Sequence, residues 1–193
     1  DQAAYWLGMS LLKSGKYAEA ENLFADSIKN HPKSTFIADM NLGLADTKLA
    51  LDKPEEAAAA FRESARLRKG SDQAPRALYA AATALHRAEK YEESDKVCSE
   101  FMGISSKHEL TPHVLFLSAE NRFLQKEYDK AAARHKELLA RSDVPKDLAA
   151  LTHFRAAWIH RYAKRYDEAL KELSKLDDAL EPGMAAEACY LKG

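Results

Sequence analysis

The sequence of 193 residues predicts an all-α solenoid of tandem antiparallel helical hairpins, about five and a half repeats long. Three observations predict it. A pattern of an aromatic residue or proline, a small residue three places on and a bulky residue four places further recurs along the whole chain. A second small residue stands nine places before each aromatic. Glycine and proline are sparse, at 7 and 6, so long helices are favoured over many strands and turns.

The recurring pattern reads Tyr17-Ala20-Phe24, Pro54-Ala57-Phe61, Tyr91-Ser94-Cys98, Tyr128-Ala131-His135 and Tyr166-Ala169-Leu173. Its small residues are 37, 37, 37 and 38 places apart, a period in the range of solenoid repeats. The upstream small residues are Gly8, Ala45, Ala82, Ala119 and Ala157. A small side chain on each of two consecutive helices lets them nest closely, as in a helical hairpin. Ser14-Gly15-Lys16 and Leu51-Asp52-Lys53-Pro54 supply tight turns within hairpins, with Pro54 at a first-turn position where proline is tolerated. Between hairpins, helix stop and start chemistry falls at Asn30–Ser34, Lys69–Asp72, Ser106–His108, Ser142–Pro145 and Glu181–Gly183. These breaks divide one array, 1–193, into repeats 1–34, 35–71, 72–108, 109–146 and 147–183, with a partial sixth at 184–193.

Residues 5–32, YWLGMSLLKSGKYAEAENLFADSIKNHP, resemble the tetratricopeptide repeat. The matching positions are Leu7, Gly8, Gly15, Tyr17, Ala20, Phe24 and Pro32, whereas Trp6 is two places from the usual tryptophan slot. Later repeats keep the small residues and mostly the turn tyrosine, and run about three residues longer than the family's usual unit. The resemblance implies a right-handed α-solenoid in which first helices line a concave groove and second helices form the convex back. Tyr-Trp-Leu-Gly followed by His-Pro-Lys-Ser is also similar to bacterial cell-envelope members, namely the Tol–Pal coordinating protein and the outer-membrane assembly lipoproteins.

By the family's pattern, groove positions in the third repeat are Arg76, Tyr79, His86 and Arg87. In the fourth they are Phe116, Glu120 and Phe123, and in the fifth Phe154, Trp158, Arg161 and Tyr162. An aromatic ladder with polar rims is what peptide-binding surfaces use, and Arg76, His86 and Arg87 have the chemistry to hold a carboxylate. Aromatic residues at these places also pack against the neighbouring first helix in this family, so packing and binding both stand as readings. The family's chaperone-tail clamp needs lysine at the fifth and asparagine at the ninth place. This chain has Tyr79 and Phe116 at the fifth, Thr83 and Glu120 at the ninth, and does not fit it.

Composition excludes other classes. Hydrophobic residues at 46% suffice for a core. The net charge of -1 lacks the basic excess of nucleic-acid binders. No apolar run approaches the ~20 residues that span a bilayer, so direct membrane insertion is not expected. His108/His113 and His153/His160 lack the spacing and the companion carboxylate of a helical metal site. Glu55-Glu56, Glu92-Glu93 and Asp177-Asp178 read as solvated helix faces, and neither a nucleophile elbow nor a glycine-rich phosphate loop is present. Neither enzyme chemistry nor a cofactor nor a metal is expected. Cys98 falls in a buried slot, and the repeat map puts it too far from Cys189 for a disulfide. Two thiols suit a reducing compartment and the cell-envelope likeness suits the periplasm, so bacterial cytoplasm and periplasm both stay open.

The function expected is a non-catalytic scaffold that binds a peptide or partner protein on its concave face. The alternative is a spacer or self-association module that stacks through its terminal helices. The chain begins inside a repeat, and Ala185–Gly193 match a first helix with no polar cap after it. The natural protein is therefore expected to continue beyond Gly193.

Overall fold

A computed structural model describes residues 1–176 as ten helices in antiparallel pairs. The helices are α1 Gln2–Lys13, α2 Tyr17–Asn30, α3 Ile37–Ala50, α4 Pro54–Leu67, α5 Gln73–Arg87, α6 Tyr91–Ile104, α7 Thr111–Leu124, α8 Tyr128–Leu139, α9 Lys146–Tyr162 and α10 Tyr166–Leu173. The expected sixth repeat, Cys189, Asp177-Asp178 and the Glu181–Gly183 break lie outside the described residues. The chain forms two compact units, Asp1–Leu110 and Thr111–Gly193.

Every described hairpin turns by the same device. The amide of the residue before each second helix donates to a carbonyl five places back: Lys16 to Leu11, Lys53 to Lys48, Lys90 to Leu85, Glu127 to Arg122 and Arg165 to His160, at 2.8–3.0 Å. This is the Schellman closure, which needs one residue in the left-handed region. That residue is Gly15, Asp52, Glu89, Lys126 and Lys164, with φ between 57° and 76°. Only the first turn has the glycine for which the conformation is free of steric cost. The second helices then start at a tyrosine or at Pro54.

In the unit Asp1–Leu110 each helix packs on the next, and α1 also lies against α3. Phe24 of α2 is fully buried with Ala20 and Met40. Its ring lies between two glycines: a Cβ on Gly8 of α1 would come within 2.6 Å of it, and one on Gly43 of α3 within 2.5 Å. The two glycines set how closely three helices approach, and burial of this ring contributes about 1.5–3 kcal/mol. Gly43 is not among the small residues that the repeat pattern singles out. In the third repeat Ser94 replaces the usual alanine, and its Oγ donates to the Ala82 carbonyl at 2.7 Å, so a buried hydroxyl bonds the two helices directly. Ala45, Ala57, Phe61 and Ala82 are buried as well.

Ion pairs link successive hairpins of this unit: Lys53 to Glu21 at 2.9 Å, Arg87 to Asp52 at 2.6 Å, Lys90 to Glu55 at 3.5 Å and Arg62 to Glu100 at 2.9 Å. The hydrogen bond from Lys53 holds the Glu21 carboxyl below its ordinary range. Exposed pairs of this kind are worth about 0–1 kcal/mol each, so they fix register more than stability.

In the unit Thr111–Gly193, α7 to α10 pack in sequence and the first helices α7 and α9 touch. Ala119, Ala131, Ala157 and Ala169 are buried in the hairpin seams. Two of the turn tyrosines expected to pack keep part of their surface exposed. Tyr17 is more than a third exposed and Tyr166 is 61% exposed. Tyr128 is covered by Tyr162 of the hairpin that follows it, whereas no described hairpin follows Tyr166. Tyr91 is half-buried against His86 of its own hairpin, with ring centroids 5.5 Å apart.

Candidate functional site

Four rings converge in the unit Thr111–Gly193. Phe123 lies in the last turn of α7, Tyr128 opens α8, and Trp158 and Tyr162 lie one turn apart on α9. Tyr162 is the hub: its centroid is 5.5 Å from Phe123, 6.0 Å from Tyr128 and 5.9 Å from Trp158. Phe123 and Tyr128 are themselves 5.8 Å apart. The Arg161 guanidinium lies 5.5 Å above the Trp158 ring, within cation–π range. Tyr162 remains 52% exposed, whereas Phe123, Tyr128 and Trp158 are half-buried, Trp158 against the core of Phe154, Ala157 and Leu173. Leu124, next to Phe123, is also exposed. The repeat period produces the arrangement, because consecutive first helices end side by side and present their last-turn rings at one level.

The structure thus brings together Phe123, Trp158, Arg161 and Tyr162 of the expected groove, and adds Tyr128, which the sequence pattern assigns to packing. Phe154 needs correction. It is 3% exposed and sits in the core with Ala157 and Leu173, so it presents nothing to a partner. One helical turn separates it from Trp158, yet it belongs to the stripe that α9 turns toward α10.

The other candidates are already engaged. Phe116 of α7 is half-buried and stacks on the buried His135 of α8, centroids 5.7 Å apart. Glu120 pairs with Arg155 of α9 at 3.4 Å. In the unit Asp1–Leu110, the pairing of Arg87 with Asp52 uses one of the two arginines expected to hold a carboxylate. Arg76 pairs with Glu109 at 2.7 Å and Asp72 at 3.4 Å. Half-buried Tyr79 has its hydroxyl pushed up by burial.

Below Phe116 lies a set of polar groups without obvious structural reward. Neither ring nitrogen of His135 has a hydrogen-bond partner, and burial together with the nearby Arg155 charge pushes its pKa down to about 3. His153 Nδ1 is 2.6 Å from Glu172 Oε2. Burial raises the Glu172 carboxyl, but the bonds from His153 and Lys175 outweigh it and leave a net downward shift. His160 is shifted down by burial and by Arg165. Among the described residues, no group of three His, Cys, Asp or Glu side chains is arranged to hold a metal ion.

Sequence reasoning also missed a groove of about 960 Å³ in the unit Asp1–Leu110. It runs between the second helices α4 and α6 over the start of α5, and Ala59, Pro75, Leu78 and the exposed Ile104 line it. The ion pair between Arg62 and Glu100 connects its two walls. The only sequence signal was Ile104, an apolar residue at the end of a helix where the repeat needs none. No described helix is long and apolar enough to cross a membrane.

Comparison with known proteins agrees with this architecture. Two family models, both described as "Tetratricopeptide repeat", match residues 2–34 and 42–98. No curated protein matches the sequence. Among solved structures, the apo form of RapI superposes with a TM-score of 0.79 at 15% identity, over 98% of this chain and 57% of that one. YrrB, described as a TPR protein with an unusual peptide-binding site, gives a TM-score of 0.71 at 14% identity over 97% and 90%. TTC0263, a TPR protein of Thermus thermophilus, gives 0.57 at 20% identity over 99% and 98%. Identities this low establish the fold alone.

Proposed function

Since the chain is a tetratricopeptide-repeat protein, we propose that it is a non-catalytic scaffold and that the first-helix face of the unit Thr111–Gly193 holds a peptide segment of a protein partner. On this reading the first-helix face is the concave wall, and the cluster of Phe123, Tyr128, Trp158 and Tyr162 is the anchor point. The observation that carries the reading is the convergence of four rings within 6.0 Å of Tyr162 while half of Tyr162 stays exposed. Rigid aromatic side chains with an arginine beside them are the residues in which binding energy concentrates, and Tyr162 with the neighbouring Leu124 supplies the exposed apolar surface.

The test uses a random peptide library selected on the protein. Trp158→Ala and Tyr162→Ala should each weaken the selected peptides by about 30-fold, the size of a hot-spot loss, with helicity by circular dichroism unchanged. Selected peptides that bind both variants as well as the parent would overturn the assignment.

One observation favours the second reading, self-association. Trp6 and Leu7 are exposed on α1, at 60% and 55%. The period weighs against simple stacking, however. Trp6 stands one period before Gly43, which receives the Phe24 ring, and an indole there leaves no seat for the same packing. Sedimentation equilibrium decides: a monomer across concentration removes the self-association reading.

A further inference from the structure

We propose that the segment bound at the aromatic cluster carries an acidic side chain beside its apolar anchor, and that this acid sits in the basic hollow next to Tyr128. The inference rests on the cluster being the binding site, and adds the chemistry of the partner.

The hollow has a volume of about 470 Å³ and lies where the α7–α8 and α9–α10 turns meet. Lys126, Lys130 and Arg165 line it with Tyr128, Glu127 and Asp129. Tyr128 therefore belongs to both sites, one face of its ring toward Tyr162 and the other features of its turn toward the hollow, which makes the two continuous. The acids in the lining are already neutralised. Glu127 accepts from Lys130 at 2.7 Å and from Arg122 at 2.6 Å, and these bonds hold its carboxyl below the ordinary range. Asp129 accepts from Arg165 Nη1 at 2.9 Å.

The cations outnumber them. Lys126 and Lys164 are exposed and have no ion-pair partner among the described residues. Lys164 is flanked by Ala163 and Arg165, both in the lining. The Nε and Nη2 atoms of Arg165 are buried away from solvent and its Nη1 is bonded to Asp129, so the unpaired positive charge here is that of Lys126 and Lys164. The corresponding turn positions in the unit Asp1–Leu110 are Gly15, Asp52 and Glu89, none of them basic. An apolar patch bordered by unspent positive charge is complementary to an apolar residue flanked by Asp or Glu.

The test uses short synthetic peptides with one Leu-Phe core and flanks of Asp/Glu, Asn/Gln or Lys. Binding is read from Trp158 fluorescence in the Trp6→Phe protein, where Trp158 is the sole tryptophan. Acidic flanks should bind about 3–10-fold more tightly than neutral ones, the range of one or two exposed ion pairs. Basic flanks should bind more weakly than neutral ones. The acidic advantage should shrink at high salt and vanish in Lys126→Gln/Lys164→Gln, with neutral-peptide affinity unchanged. Equal binding of acidic and neutral peptides overturns this inference and leaves the aromatic site standing. An acidic advantage that survives the double variant overturns it too, since the charges then lie elsewhere. Absence of binding by every peptide removes both proposals.

Discussion

Acid should unfold the unit Thr111–Gly193 through His135, and the size of the effect follows from its burial. The imidazole is 1% exposed, stacked on Phe116, and has no hydrogen-bond partner. The charges around it come from α9 and α10: Arg155, His153 and His160 on the first, Glu172 on the second. Its folded pKa is pushed down to about 3, against 6.5 for a free histidine. A depressed pKa means that the unfolded chain binds more protons between those two values. The stability this group contributes is therefore intact above pH 6.5 and is lost as pH falls toward 3. At about 1.4 kcal/mol per pH unit, roughly 2 kcal/mol is lost by pH 5, a large fraction of the stability of a small domain. His160, shifted the same way, adds to the loss. The lowered Glu172 acts only at more acid pH, below the ordinary carboxyl range. The assay is urea unfolding of the Trp6→Phe protein followed by Trp158 fluorescence at pH 7 and pH 5. His135→Leu places an apolar side chain in a slot that the fifth repeat fills with Leu173, and should remove about 2 kcal/mol of the difference between the two pH values. A parent midpoint that does not move, or a shift that survives the substitution, refutes the reasoning.

Two further substitutions test the packing. Gly43→Ala puts a methyl 2.5 Å from the Phe24 ring. Overpacking costs about 1–3 kcal/mol and the helical preference of alanine returns up to about 1, so the net loss should lower the melting temperature by a few degrees, with partial recovery in Gly43→Ala/Phe24→Leu. Phe154→Ala should cost about 3–5 kcal/mol, and Trp158→Ala one turn away should cost less, because its ring only flanks that core. Equal losses in urea unfolding would contradict the separation of core from patch on α9.

The helical hairpins were legible because their signals are steric and periodic. Ala20, Ala57, Ala131 and Ala169 recur in one slot, and each is buried. Phe154 misled because it stands at a groove position of the family pattern, and a pattern cannot report that α9 turns this ring onto Leu173. Tyr128 does pack, as a turn tyrosine should, but its packing partner, Tyr162, is itself exposed, and the pattern does not report that. His135 occupies a slot that the pattern correctly marks as bulky. Its lack of hydrogen-bond partners depends on α9 and α10, which no local reading contains. Gly43 escaped because it is out of phase with the small residues of the repeat. It acts only through Phe24, a residue of the hairpin before it.

The hairpin turns show a fold rule and a binding surface competing for one position. Five Schellman turns each need a left-handed residue, and any side chain there costs roughly 1 kcal/mol relative to glycine. Asp52 offsets that cost by holding Arg87 of the next hairpin. Lys126 and Lys164 have φ of 63° and 59° and make no comparable bond among the described residues. A strained side chain kept without an internal partner is what a site for an external one looks like. Lys126→Gly and Lys164→Gly should therefore each raise stability, by about 0.5–1 kcal/mol in urea unfolding, and each lower affinity for the acid-flanked peptide. Asp52→Gly should gain less than either, because the ion pair to Arg87 goes with the strain. If the lysine variants gain stability and keep full affinity for acidic peptides, the basic hollow has no role in binding. If they gain nothing, the left-handed turns are not under strain.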